Sequence, residues 1–182
     1  MKKFAILAVL ALPLAVGGCG NTPTNTVTTT TSGNWEAQLI GGTGPTSQLN
    51  FVVAFNVTDT TGTANEPLDI TGVGFFNAGP CFTTGNNSET ASGTATLVTN
   101  SAGQVTGTLK MIITSSTSGS VLTLNGNVTG NSNGTTTTTG TLTNGVVTGN
   151  WTISPGASVP NCVTPATPTF VMCQQTATCT VP

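Results

Sequence analysis

From Asn34 onward, apolar residues recur at every second position. Trp35, Ala37 and Leu39 share one face of a first short segment, and Phe51, Val53, Phe55 and Val57 share one face of a second. Successive side chains of a β-strand point to opposite faces of a sheet, so this period of two predicts strands with one buried face. The pattern continues over residues 68–77, which places Leu68, Ile70 and Phe76 on one side. It goes on over 90–99, then over 105–114 with Leu109, Met111 and Ile113 aligned. Leu122, Leu124 and Val128 mark a sixth segment and residues 135–143 a weaker seventh. Val147, Trp151 and Ile153 mark an eighth, and an apolar stretch at 170–173 a ninth. No helical stripe occurs beyond residue 34, and β-branched residues dominate throughout.

Turn residues separate these segments at short intervals. Residues 100–103, 116–120, 130–134 and the dipeptide Asn144-Gly145 all suit hairpin links, and Asn-Gly is the sharpest such signal. Hairpins joined in series make a meander. Glycine recurs inside the segments as well, in Gly-Thr-Ala-Thr at 93, Gly-Thr-Leu at 107 and 140, Gly-Asn-Val-Thr at 126 and Gly149-Asn150-Trp151-Thr152. A strand tolerates glycine where it must bend or pack closely, and barrels need such bends. Closing the sheet also removes edges that a chain with few charges has little means to protect. The expected fold is therefore all-β, a single antiparallel up-and-down meander barrel of eight or nine strands. A β-sandwich is the alternative.

The N-terminus follows a different plan. Lys2 and Lys3 precede an apolar run at 4–16, then Gly17, Gly18 and Cys19. The run is shorter than the roughly 20 residues that cross a bilayer as a helix, and it has the layout of a signal peptide. Val16-Gly17-Gly18-Cys19 resembles the lipobox of bacterial lipoproteins. The resemblance implies cleavage after residue 18, a diacylglycerol on the Cys19 thiol and acylation of the freed amine. Acyl chains contribute about 0.8 kcal/mol per buried methylene, so two or three of them hold a protein on a membrane permanently. Gly20 stands where an Asp would retain many lipoproteins at the inner membrane, so the resemblance implies the outer membrane. An ordinary secretory peptide cut near Gly18 is the alternative. Residues 20–33, rich in Thr, have nothing to bury and read as a tether of at most about 45 Å at about 3.3 Å per residue. The expected organisation is a signal peptide at 1–18, a lipidated Cys19 with its tether at 19–33, and a barrel-like domain at 34–182.

Charge narrows the partners. Of 3 Lys and Arg, two leave with the signal peptide, so Lys110 stands alone against Glu36, Asp59, Glu66, Asp69 and Glu89, a net of −4. Such a chain has no basic patch to release counterions from a phosphate backbone or to grip anionic lipid, which excludes nucleic acid as a partner. There is no His, hence no imidazole base, no Ser-His or Cys-His dyad and no ordinary zinc site. Lys110, between Leu109 and Met111 on a strand, reads as a solvent-facing charge rather than half of a Ser-Lys dyad. Glu66 and Asp69, with Asp59 and Asn65, are the only carboxylate-rich stretch. It lacks the spacing of a calcium loop, and Pro67 marks it as a polar hairpin link. No catalytic residue, metal site or cofactor is expected, and the chain does not read as an enzyme.

Trp35 and Trp151 are the largest apolar groups, expected to fill the barrel core, or alternatively to line a ligand cavity. Phe75 and Phe76 are adjacent and must face opposite ways. With Phe76 counted inward, Phe75 and Val73 become a candidate patch for contacting a partner. Five cysteines are an odd number, and setting Cys19 aside leaves Cys81, Cys162, Cys173 and Cys179 for two disulfides. Four cysteines allow three pairings. Cys173 and Cys179 can close a small loop that pins the C-terminal tail, which leaves Cys81 with Cys162. A bridge from Cys162 to Cys173 across a terminal hairpin is the competing arrangement.

Two resemblances bear on function. Gly33-Asn34-Trp35 at the first strand is similar to the G-x-W opening of lipocalins and the wider calycin group, whose eight-stranded barrels hold small apolar ligands; avidin-like barrels share this look. The Arg that packs on that Trp in lipocalins has no counterpart, because the chain contains no Arg. The mature chain also resembles β-rich envelope lipoproteins that combine a Thr-rich tether, a Cys-Phe after the third strand (Cys81-Phe82) and a late Gly-x-aromatic strand followed by Cys (Gly149-Asn150-Trp151 and Cys162). That resemblance implies a Cys81–Cys162 pair. The expected function is a lipid-anchored structural or interaction protein that meets another envelope component. A lipocalin-like binder of a small apolar ligand is the alternative, and the two differ in whether the barrel is filled or hollow.

Overall fold

The computed structural model describes residues 29–57, 66–134 and 139–175. It is all-β apart from one 3₁₀ turn at Gly44–Thr46. Nine strands follow in order: β1 (Thr29–Thr30), β2 (Asn34–Ile40), β3 (Asn50–Val57), β4 (Glu66–Asn77), β5 (Thr90–Thr99), β6 (Gln104–Thr114), β7 (Val121–Ser132), β8 (Gly140–Ser154) and β9 (Thr169–Gln174). From β2 to β9 each strand pairs antiparallel with the next, and β9 also pairs with β2, with Glu36 opposite Cys173 and Leu39 opposite Phe170. The result is a closed eight-stranded up-and-down barrel. β1 is an addition, pairing parallel with the start of β8.

Alternation sets the inside. Trp35, Ala37 and Leu39, Phe51, Val53, Phe55 and Val57, and Leu109, Met111 and Ile113 are all buried, as the period of two predicts. β4 departs from the expected phase. Phe75 and Val73 are buried, and Phe76 is 44% exposed. The cause is a bulge: Gly72 has φ of 67°, and the register slips between Val52 and Ala54, so two β4 residues face one on β3. A bulge shifts every following side chain to the other face. Leu68 and Ile70 thus share the inward face with Val73 and Phe75, and no Phe75–Val73 patch lies outside.

A second bulge replaces an expected turn. Asn144-Gly145 lies inside the 15-residue β8, not at a hairpin, and the register slips opposite it between Thr129 and Asn131. Asn144 takes φ of 52°, the conformation that makes Asn-Gly a good turn former, but here it kinks a continuous strand. A Cβ on Gly145 would press on Cη2 of Trp35, so the kink brings β8 against that indole. The expected seventh and eighth segments are one strand from Gly140 on; residues 135–138 lie outside the described residues.

The barrel has two unlike ends. The far end carries the links 41–49, 78–89, 115–120 and 155–168. The near end carries Thr29, the turn 100–103 and Gln175, so the described chain enters and leaves at the same end. The tether was expected to run to residue 33, but its last residues belong to the barrel. Thr29 and Thr31 are buried, and the Thr29 hydroxyl meets those of Thr99 and Ser132, each at 2.8 Å. Thr31 O accepts from Val57 N at 3.0 Å, and Gly33 O accepts from Phe55 N at 3.3 Å. Nothing apolar announces this docking; it rests on hydrogen bonds.

Candidate functional site

The interior is the natural place to look first. Trp35, Trp151, Phe51, Met111, Leu122, Leu124, Leu142 and Met172 are all at 0% exposure, so no water-sized space adjoins these side chains. Trp35 stacks on Phe55 with centroids 4.9 Å apart and planes 17° apart. Its Nε1 has no hydrogen-bond partner among the described residues, so shape alone holds the ring. Trp151 is held differently, its Nε1 donating to Ile40 O at 3.0 Å. Both indoles are fully buried among other core side chains.

The far end is closed by its loops. Cys81 and Cys162 form the expected disulfide, with Cα atoms 5.7 Å apart, joining the link after β4 to the link after β8. Cys173 is disulfide-bonded too. Cys179, with which the small-loop reading pairs it, lies outside the described residues, as does Cys19. β4 and β5 are in register only where Glu66 and Pro67 meet Ala95 and Thr94, and the link 78–89 fills the rest of the seam. Gly85 N donates to Phe75 O at 2.9 Å and Ser88 N to Val73 O at 3.0 Å, while Phe82 stacks on Phe75 at 4.5 Å.

Glu89 fixes this link to its neighbour. It is buried, and its two carboxylate oxygens accept from Thr83 N at 2.7 Å and Ser116 N at 2.9 Å. Ser118 continues the seam, donating from its hydroxyl to Cys81 O at 2.6 Å, and Ser120 Oγ accepts from Gly156 N at 3.2 Å. The carboxylate thus serves as an acceptor for two loop amides rather than as a reactive group. Glu89→Ala leaves both donors unmade, at about 1–3 kcal/mol each. Its midpoint in denaturant should fall accordingly, whereas Glu89→Gln, which keeps one acceptor oxygen, should lose about half as much.

The other polar candidates do not converge. Asp69 and Lys110 are exposed on β4 and β6, and Asp59 and Asn65 lie outside the described residues. Among the described residues no three of His, Cys, Asp and Glu come together as metal ligands do. What the sequence reading missed is on the outside. Thr94, Lys110, Asn125 and Asn150 come from four different strands and line a groove of about 380 Å³. Only the register brings them together, so no local signal in the sequence could have found them. The chain matches no known protein family, no curated protein and no solved structure.

Proposed function

We propose that this chain is a lipid-anchored envelope protein with a structural or interaction role, held on the outer membrane through Cys19 and working through its outer surface rather than its interior. The observation that carries the reading is the filled barrel. A carrier of small apolar molecules needs a cavity of a few hundred Å³ or more among its inward residues. Here tryptophan, phenylalanine and leucine side chains occupy that volume.

The placement of the ends supports the anchoring. Thr29, ten residues after Cys19, enters at the near end, and ten residues reach at most about 35 Å. Tethered there, the barrel turns its near end to the lipid and its disulfide-tied far end away from it. The side wall stays open to whatever shares the compartment. Cell fractionation tests the anchor. The wild-type protein is expected in the membrane fraction and in the detergent phase, and Cys19→Ser in the soluble envelope fraction. If Cys19→Ser stays with the detergent phase, the anchor assignment fails. Titration with palmitate checks the filled interior, and the fluorescence of Trp35 and Trp151 should not move.

A further inference from the structure

The outer wall of the barrel carries a hollow over its middle strands, and two glycines lie beneath it. Gly126 and Gly149 are paired across β7 and β8, and both occupy inward positions of their strands. A Cβ on Gly126 would strike the Phe170 ring, and one on Gly149 would overlap Asn125 O. Without side chains at these two inward positions, the Phe170 ring packs directly under the backbone of the sheet. The groove of about 380 Å³ lies over this pair and includes both glycines in its floor. A second hollow, of about 410 Å³ and lined by Ser92, Gly93 and Ile112, shares Thr94 and Lys110 with the first. Together they form one trough across β5 to β8.

Its lining follows a pattern. In one row Thr94 stands opposite Lys110, Lys110 opposite Asn125, and Asn125 opposite Asn150. In the next row Thr96 stands opposite Thr108 and Thr108 opposite Asn127. Neighbours within a row are about 4.8 Å apart and the rows about 6.8 Å apart, two residues along a strand. The trough thus offers a grid of amides, each donating and accepting, and of hydroxyls. Lys110, the only cation among the described residues, stands where the two hollows meet, and Ile112 adds an apolar contact at one end.

We propose that this trough binds an acidic glycan, the Asn and Thr side chains taking the sugar hydroxyls and Lys110 pairing with a carboxylate. The inference deepens the interaction role argued above and rests on it. The lining suits this occupant better than others. A protein partner would be expected to meet aromatic or Arg anchors, and the trough has neither. Nucleic acid would need many cations where there is one. A small apolar molecule would leave the amides unpaired.

The test is calorimetric titration of the full-length protein in detergent with sialyllactose, a short glycan bearing one carboxylate, and with its neutral counterpart lactose. Sialyllactose should bind at least tenfold more tightly than the neutral glycan. Lys110→Gln should weaken it about tenfold and Asn127→Ala several-fold, with the thermal midpoint unchanged, while Asn86→Ala, on a loop at the far end, should bind like wild type. Absence of sialyllactose binding, equal binding of the two glycans, or full affinity in Lys110→Gln would each overturn the proposal. None of these outcomes touches the anchor, which fractionation reads separately.

Discussion

Replacing both Cys81 and Cys162 by Ala is expected to lower the stability of the barrel by about 4–5 kcal/mol. The bond closes a chain loop 81 residues apart in sequence, and in the chain-entropy treatment such a long loop restricts the unfolded state strongly. The native state adds its own contribution. The bond ties the link that fills the β4–β5 seam to the link after β8, so its loss frees the segment that carries Phe82 and accepts the Ser118 hydroxyl. Urea unfolding of oxidised wild type and the double variant gives the difference directly. Hydrogen exchange should localise it, with Gly85 and Ser88 losing protection before Leu109 and Leu124 do. A loss below about 1 kcal/mol would mean that the seam is held by Glu89 and the Phe75–Phe82 stack without help from the bond.

Trp35→Ala should cost about 3–5 kcal/mol, the usual range for deleting a large buried aromatic side chain. The informative comparison is with phenylalanine. Trp35 makes no hydrogen bond to the described residues, so Trp35→Phe loses only part of a ring and should recover most of the stability. Trp151→Phe also deletes the donor to Ile40 O and leaves that carbonyl without this partner, so it should fall further than Trp35→Phe by about 1 kcal/mol. Thermal or chemical denaturation of the three variants checks the order, and Trp35→Phe proving the worse of the two would contradict a shape-held Trp35.

Much of the barrel is written in local pattern. β5, β6 and β7 alternate without interruption, and the links expected at 100–103 and 116–120 each hold Ser and a Gly, so both could be read from the chain. The failures share one physical cause, a contact made far along the chain. Phe76 looked inward because Gly72 is silent about the bulge that only pairing with β3 requires. Asn144-Gly145 looked like a turn because nothing local says that Trp35 will lie against Gly145. Thr29 and Thr31 looked like tether because their burial depends on Thr99, Ser132 and Val57. The core tryptophans and the Cys81–Cys162 pair were legible, since volume and cysteine count carry across distance. The trough was not, because its rows exist only once four strands are in register.

The closing pair of strands also governs the order in which the fold can be completed. β2 lies near the start of the described chain and β9 at its end, yet they are direct neighbours. Until β9 arrives, the meander from β2 to β8 has two open edges, bare except where β1 covers the start of β8, with unpaired backbone groups and few charges to repel another chain. Pairing over such sequence distance is slow, because the chain must give up the entropy of a long loop before any contact rewards it. The final six residues of the described sheet, Thr169–Gln174, therefore cover both of these edges at once. A chain that stops short of them keeps nearly all its strands and loses its protection against pairing with its own copies.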